Sequence, residues 1–194
     1  MAKGGVLLDI GVHLLDLLIA WWGQPVEVAY ADDSMGGIEA NCRLHLTFAQ
    51  GHAGEVRLSR DCALPNRYRI QGTRGWVGWQ VNEVNKLQIG FTDTDYSING
   101  QLYQAGADPQ RPTLEQPGFT FAQSFVRQLL NVAAAVQGKE ALVVTGTEGL
   151  QSLRLIERCY QQRTLMDMPW LSPNEYAQAR QLNHAVFLDA KAPC

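Results

Sequence analysis

From Ile38 to Phe48 the chain alternates at every step. Ile38, Ala40, Cys42, Leu44, Leu46 and Phe48 fall on one side, and Glu39, Asn41, Arg43, His45 and Thr47 on the other. Successive side chains of a strand point to opposite faces, so this period of two predicts a strand with one dry face and one wet face. Such a strand cannot stand alone. Its edges need hydrogen-bonded neighbours, and its dry face needs an apolar layer over it.

The neighbours are legible. Val26 to Tyr30 predicts a first strand, after Gly23 and Pro25 stop the helix before it. Glu55 to Arg60 places Val56 and Leu58 inward, and Arg67 to Gln71 places Tyr68 and Ile70 inward. Trp76 to Val81 and Lys86 to Phe91 follow the turn at Gly72 to Gly75. Short alternating runs joined by turns predict one sheet, largely antiparallel. Its wet face carries Glu39, Arg43, His45, Glu55, Arg57, Arg67 and Arg69.

Three apolar helices are available to cover the other face. The first runs up to Trp22. The second, Phe119 to Gln137, carries the stripe Ala122, Phe125, Val126, Leu129, Ala133 and Val136. The third opens with Thr145 and Glu148 at capping-box spacing and continues through Leu150, Leu153, Ile156 and Tyr160. Between strands and helices, Thr92 to Gly118 holds three of the eight prolines and reads as a long irregular loop. Ser172 to Glu175 resembles another helix start, with a short helix to about Ala185 and a frayed tail after it. The fold class predicted is α+β: an open, largely antiparallel mixed sheet with helices on one face. Residues 1–170 form this domain, and residues 171–194 a C-terminal helix and tail.

Composition excludes several classes. Hydrophobic residues at 46% and charged residues at 18% suit a globular chain with a real core. A net charge of −3 gives no pull toward nucleic acid or anionic lipid. No apolar run is long enough to span a membrane, and the opening residues fail as a signal peptide. Cys42, Cys62, Cys159 and Cys194 form no Cys-x-x-Cys pair, which points to reduced thiols in the cytoplasm. No Gly-x-Ser-x-Gly motif and no phosphate-cradling glycine loop occur, so nothing here predicts a nucleophile or a bound dinucleotide. No third ligand accompanies Asp9 and His13, so no metal site is predicted.

The chemistry-bearing stretch comes first. Asp9 and His13 lie four residues apart in a helical pattern, and Asp16 lies one further turn on. Histidine holds or releases a proton near neutrality, and a carboxylate one turn away can orient its ring. The residues alone also allow a plainer arrangement, in which Asp9 caps the helix and His13 is a hydrogen-bonded, half-buried side chain.

The pattern Gly-Gly-x-x-x-Asp-x-Gly-x-His-x-x-Asp, from Gly4 to Asp16, precedes an apolar helix ending in Trp21-Trp22-Gly23-Gln24-Pro25-Val26. This resembles the start of the second domain of the glucose–fructose oxidoreductase/inositol dehydrogenase/MocA (Gfo/Idh/MocA) family. The likeness runs from about Lys3 to Trp170. It implies the substrate-binding and oligomerisation domain of an NAD(P)-dependent oxidoreductase acting on a sugar, polyol or related hydroxylated small molecule. By match of motif, His13 takes a proton from a substrate hydroxyl and Asp9 assists. Lys3, Asp16, Arg60 and Tyr103 are the candidates to touch substrate.

The family's N-terminal nucleotide-binding domain has no counterpart here, so the chain is expected to bind no cofactor alone. NAD or NADP would belong to the full-length enzyme, of which this is a fragment or truncated form. The resemblance also implies a homodimer or higher homo-oligomer through the polar open sheet face. The alternative reading is a non-catalytic binding or dimerisation module with an idle Asp9/His13 pair.

Overall fold

The structure is a computed structural model that describes residues 4–81, 83, 86–101 and 121–189. The chain divides into two units, Met1–Leu64 with Val144–Cys194, and Pro65–Val143. The fold class is α+β, as the pattern predicts. The strands, however, form two four-stranded sheets rather than one. Residues 60–66 between them are irregular and include Pro65, which has no N–H to give to a ladder.

The first unit opens with a π-helical turn, Leu7–Gly11, running into helix α1, Val12–Trp22. Strands β1 (Pro25–Asp32), β2 (Asn41–Phe48) and β3 (Ala53–Ser59) form an antiparallel meander. Helix α3, Gly146–Gln161, leads into the short strand β8, Arg163–Leu165, which pairs with β1 in parallel. Helix α4 is Pro173–Asp189. The capping box of α3 forms as the sequence predicts, with Glu148 N donating to Thr145 Oγ1 at 3.2 Å; at the start of α4, Ser172 N donates to Glu175 Oε2 at 2.8 Å.

The alternation does what it promised from Asn41 onward. Cys42, Leu44, Leu46, Phe48, Val56 and Leu58 are buried against the π-helical turn, α1 and α3. Trp22 meets Phe48 edge-on at 5.4 Å, and Tyr30 meets Tyr160 at 5.8 Å. Arg43, His45, Glu55 and Arg57 lie exposed on the opposite face. In α3 the buried side is Ser152, Leu155, Ile156 and Cys159; Leu150 and Leu153 stay exposed.

The second unit holds β4 (Arg67–Gln71), β5 (Gly75–Gln80), β6 (Lys86–Phe91) and β7 (Ser97–Gln101), an antiparallel meander in chain order. Strand β7 falls inside the stretch expected to be an irregular loop; the part of that stretch from residue 102 to 118 lies outside the described residues. Gly90 lies opposite Trp76, where a Cβ would come within 2.1 Å of the indole nitrogen, so the ring rests on a glycine floor. Helix α2, Phe121–Val136, was expected to cover a sheet. Its Leu129 and Leu130 are instead 68% and 64% exposed.

Burial pushes the Cys159 thiol up to about 12 from its ordinary 9.0. The folded chain therefore holds this proton more tightly than the unfolded chain. Stability is full below about pH 9 and falls as pH rises toward 12. Thermal melts between pH 8 and about 11 should show a steeper fall in Tm for the wild type than for Cys159→Ala. Parallel slopes would contradict this.

Candidate active site

The opening turn is clamped from one side. Val6 and Leu7 are fully buried, as is Leu15 in α1. Val6 N donates to the Glu39 carbonyl at 3.1 Å, and Leu7 N donates to Glu39 Oε1 at 3.2 Å. Gly5 is required there: a Cβ would lie 2.3 Å from the Glu39 carbonyl oxygen. A Cβ on Gly11 would lie 2.7 Å from Leu7 and 2.9 Å from Leu58, so the turn also sits hard against β3. Widened turns of this kind inside helices often occur at functional sites.

The other side of the same helix faces solvent. Asp9, His13 and Asp16 are all exposed. The π-helical turn begins before Asp9, and α1 has no side-chain cap, so Asp9 is not a capping residue. His13 is not sealed in the core. Asp9 instead finds Arg60, just past the end of β3: the Arg60 guanidinium donates to Asp9 Oδ2. Arg60 is itself fixed by its backbone, whose N–H donates to the Ala40 carbonyl at 3.0 Å. The structure thus brings together Asp9 and Arg60, and leaves His13 and Asp16 exposed on the helix that follows. Lys3 and Tyr103 lie outside the described residues.

Glu39 was expected on the wet face and is found 1% exposed. Strand β2 begins at Asn41, so the period of two does not extend back to Ile38, which is the exposed residue of the two. Beneath the turn, Tyr160 Oη donates to Glu39 Oε1 at 2.7 Å. Arg163 lies 3.6 Å from Glu39 Oε2 and 2.7 Å from Asp32 Oδ2. Asn183 of α4 donates to Asp32 Oδ1 at 3.1 Å and to the Ser34 carbonyl at 2.8 Å. Burial, then the Glu39 hydrogen bond, raises the Tyr160 phenol well above its ordinary value, so it remains a donor. The sequence signal for this cluster was an acid beside an isoleucine at the margin of a strand, which periodicity alone misassigns.

Among the described residues no group of three His, Cys, Asp or Glu side chains could hold a metal ion. The Cys42 thiol, like Cys159, is held protonated by burial. In the second unit a hollow of about 340 Å³ lies over Gly78, walled by Arg69, Trp76, Gln80, Gln88 and Asn99. None of Asp9, His13, Asp16 or Arg60 lines it. No described helix is long and apolar enough to cross a membrane.

Residues 2–165 match the family described as "Oxidoreductase family, C-terminal alpha/beta domain". Solved structures agree on the fold. An aldose–aldose oxidoreductase from Caulobacter crescentus, complexed with glycerol, is 23% identical with a TM-score of 0.60, over 82% of this chain and 45% of that one. An inositol dehydrogenase homologue from Azotobacter vinelandii, complexed with NADH and myo-inositol, is 19% identical with a TM-score of 0.64, over 82% and 48%. The WlbA dehydrogenase from Bordetella pertussis, in complex with NADH and UDP-GlcNAcA, is 20% identical with a TM-score of 0.56, over 82% and 43%. The chain therefore spans less than half the length of these three proteins. No curated protein matches it.

The Arg60 and Asp9 side chains are 50% and 61% exposed, so solvent screens their attraction. Arg60→Ala should lower stability by no more than about 1 kcal/mol in urea denaturation. A larger loss would show that the pair holds the fold together.

Proposed function

The chain belongs to this oxidoreductase family through its C-terminal alpha/beta domain, and we propose that it supplies the substrate-side wall and the acid–base pair of an NAD(P)-dependent dehydrogenase. The substrate class is a sugar, polyol or related hydroxylated small molecule. The observation that carries this reading is that Asp9, His13 and Asp16 are exposed on a helical run that buries Val6, Leu7 and Leu15.

The roles follow from chemistry and position. The His13 imidazole accepts the proton of a substrate hydroxyl. Asp9, four residues earlier in the chain, is the carboxylate assigned to orient that ring. Arg60 holds Asp9 in place and offers spare N–H donors to substrate oxygens on the same edge. The nicotinamide, when bound, supplies the hydride chemistry. This sequence contains no Gly-x-Gly-x-x-Gly stretch, so the cofactor is assigned to a nucleotide-binding domain outside these 194 residues.

The exposed, two-signed face of the first sheet supports self-association. Arg43 and Glu55 pair across it at 2.9 Å, and Arg57 draws Glu55 below the ordinary carboxylate range. A symmetric pairing of two such faces presents each sign to the other. The free thiols Cys42, Cys62 and Cys159 suit a reducing cytoplasm.

His13→Ala, placed in the enzyme joined to its nucleotide-binding domain, should lower kcat about 100-fold or more with Tm nearly unchanged. Unchanged turnover would favour the reading of a binding or dimerisation module. Sedimentation of the 194-residue chain should show a dimer or larger species, which the double charge reversal Arg43→Glu with Arg57→Glu breaks. A monomer at every concentration would refute the self-pairing.

A further inference from the structure

We infer that Glu39 is a positioning residue for the Asp9–His13 edge, acting through the length of its side chain rather than through its charge. The inference rests on the proposed role of Asp9 and His13. The contacts that support it do not depend on that role.

The geometry is specific. Two successive backbone N–H groups of the opening turn go to this one residue. The Glu39 carbonyl takes the Val6 N–H, and its Oε1 takes the Leu7 N–H at 3.2 Å and the Tyr160 hydroxyl at 2.7 Å. The Leu7 N–H is among those that open a helical run and have no partner inside it. A helix start buried this deeply needs an acceptor from elsewhere, and the Glu39 carboxylate reaches in to provide it. Asp9 N then donates to the Gly5 carbonyl at 3.1 Å, so the backbone carrying Asp9 is hung from the residues that Glu39 pins. The fit is tight, since a Cβ on Gly5 would lie 2.4 Å from the Glu39 carboxyl carbon. The same Gly5-to-Gly11 segment leads directly into α1 at Val12, with His13 its second residue. Moving Leu7 away from Glu39 therefore swings both proton-handling side chains.

A competing role exists for the same carboxylate: neutralising Arg163, whose guanidinium is 3.6 Å from Glu39 Oε2. The two roles respond oppositely to substitution. Glu39→Gln keeps the length and the Oε1 acceptor but loses the charge. Glu39→Asp keeps the charge but withdraws the acceptor by one methylene. Gly5→Ala pushes the turn off Glu39 without altering Glu39.

The experiment is amide hydrogen exchange on the 194-residue chain, read at Leu7 and Asp9 against the β1–β2 ladder amides. It is paired with kcat and KM of the enzyme joined to its nucleotide-binding domain. Glu39→Gln should keep Leu7 and Asp9 protected and kcat within about threefold of wild type. Glu39→Asp and Gly5→Ala should lose protection in the turn by about tenfold or more while the ladder stays protected, and kcat should fall with KM little changed. Turn protection lost in Glu39→Gln but kept in Glu39→Asp would assign Glu39 to charge balance and overturn the inference. If Glu39→Asp fails to fold, Gly5→Ala decides: an unaltered turn in that variant overturns it equally. The readouts separate the two proposals. Exchange at Leu7 and Asp9 judges Glu39, whereas turnover of His13→Ala judges the proton-transfer role.

Discussion

One buried polar cluster holds the first unit in register. Arg163 of β8 lies between Asp32 of β1 and Glu39, with Tyr160 of α3 and Asn183 of α4 completing the set. In this unit the opening turn, α3, β8 and α4 are each tied to the cluster. A buried ion pair is seldom a net source of stability against a well-packed apolar core, but breaking one is expensive, about 3–5 kcal/mol. The cluster therefore specifies an arrangement more than it strengthens one. The Arg163 guanidinium also lies 5.0 Å from the Tyr160 ring, which fixes that ring over Glu39.

The consequence appears at the surface. A helix held by Leu7 and Leu15 alone would be free to roll on the sheet, since apolar contact has no direction. The hydrogen bonds to Glu39 remove that freedom. They set which residues of the opening turn are buried and so which are presented. Asp9, His13 and Asp16 are exposed because Val6, Leu7 and Leu15 are held down. Arg60 arrives beside Asp9 because β3 ends there, with its backbone anchored on Ala40.

Much of this was legible in the residues, and the failures have physical causes. The dry face of β2 and β3 was readable because a period of two, kept over many residues, fits a strand and does not fit a helix. The caps of α3 and α4 were readable because a hydroxyl and a carboxylate at that spacing satisfy each other's backbone. Glu39 was misplaced because alternation does not say where a strand begins. Asp33 decides that here: Oδ1 accepts the Ala40 and Asn41 N–H groups at 2.9 and 3.0 Å, turning the chain just before β2. Strand β8 is three residues long and parallel to a strand distant in sequence, so no local pattern announces it. The division into two sheets has no local signal, because alternating runs define strands, not which strands pair. The Asp9–His13 edge was visible as a spacing, while its Arg60 partner depended on where β3 stops.

The central claim is that one turn is buried on its Leu7 side so that His13 stands in water on the other. Acylation of histidines by diethyl pyrocarbonate, followed peptide by peptide with mass spectrometry, tests it on the native chain. His13 should be modified at a rate close to that of the exposed His45. A His13 that resists until the protein unfolds, while His45 reacts, would contradict the claim.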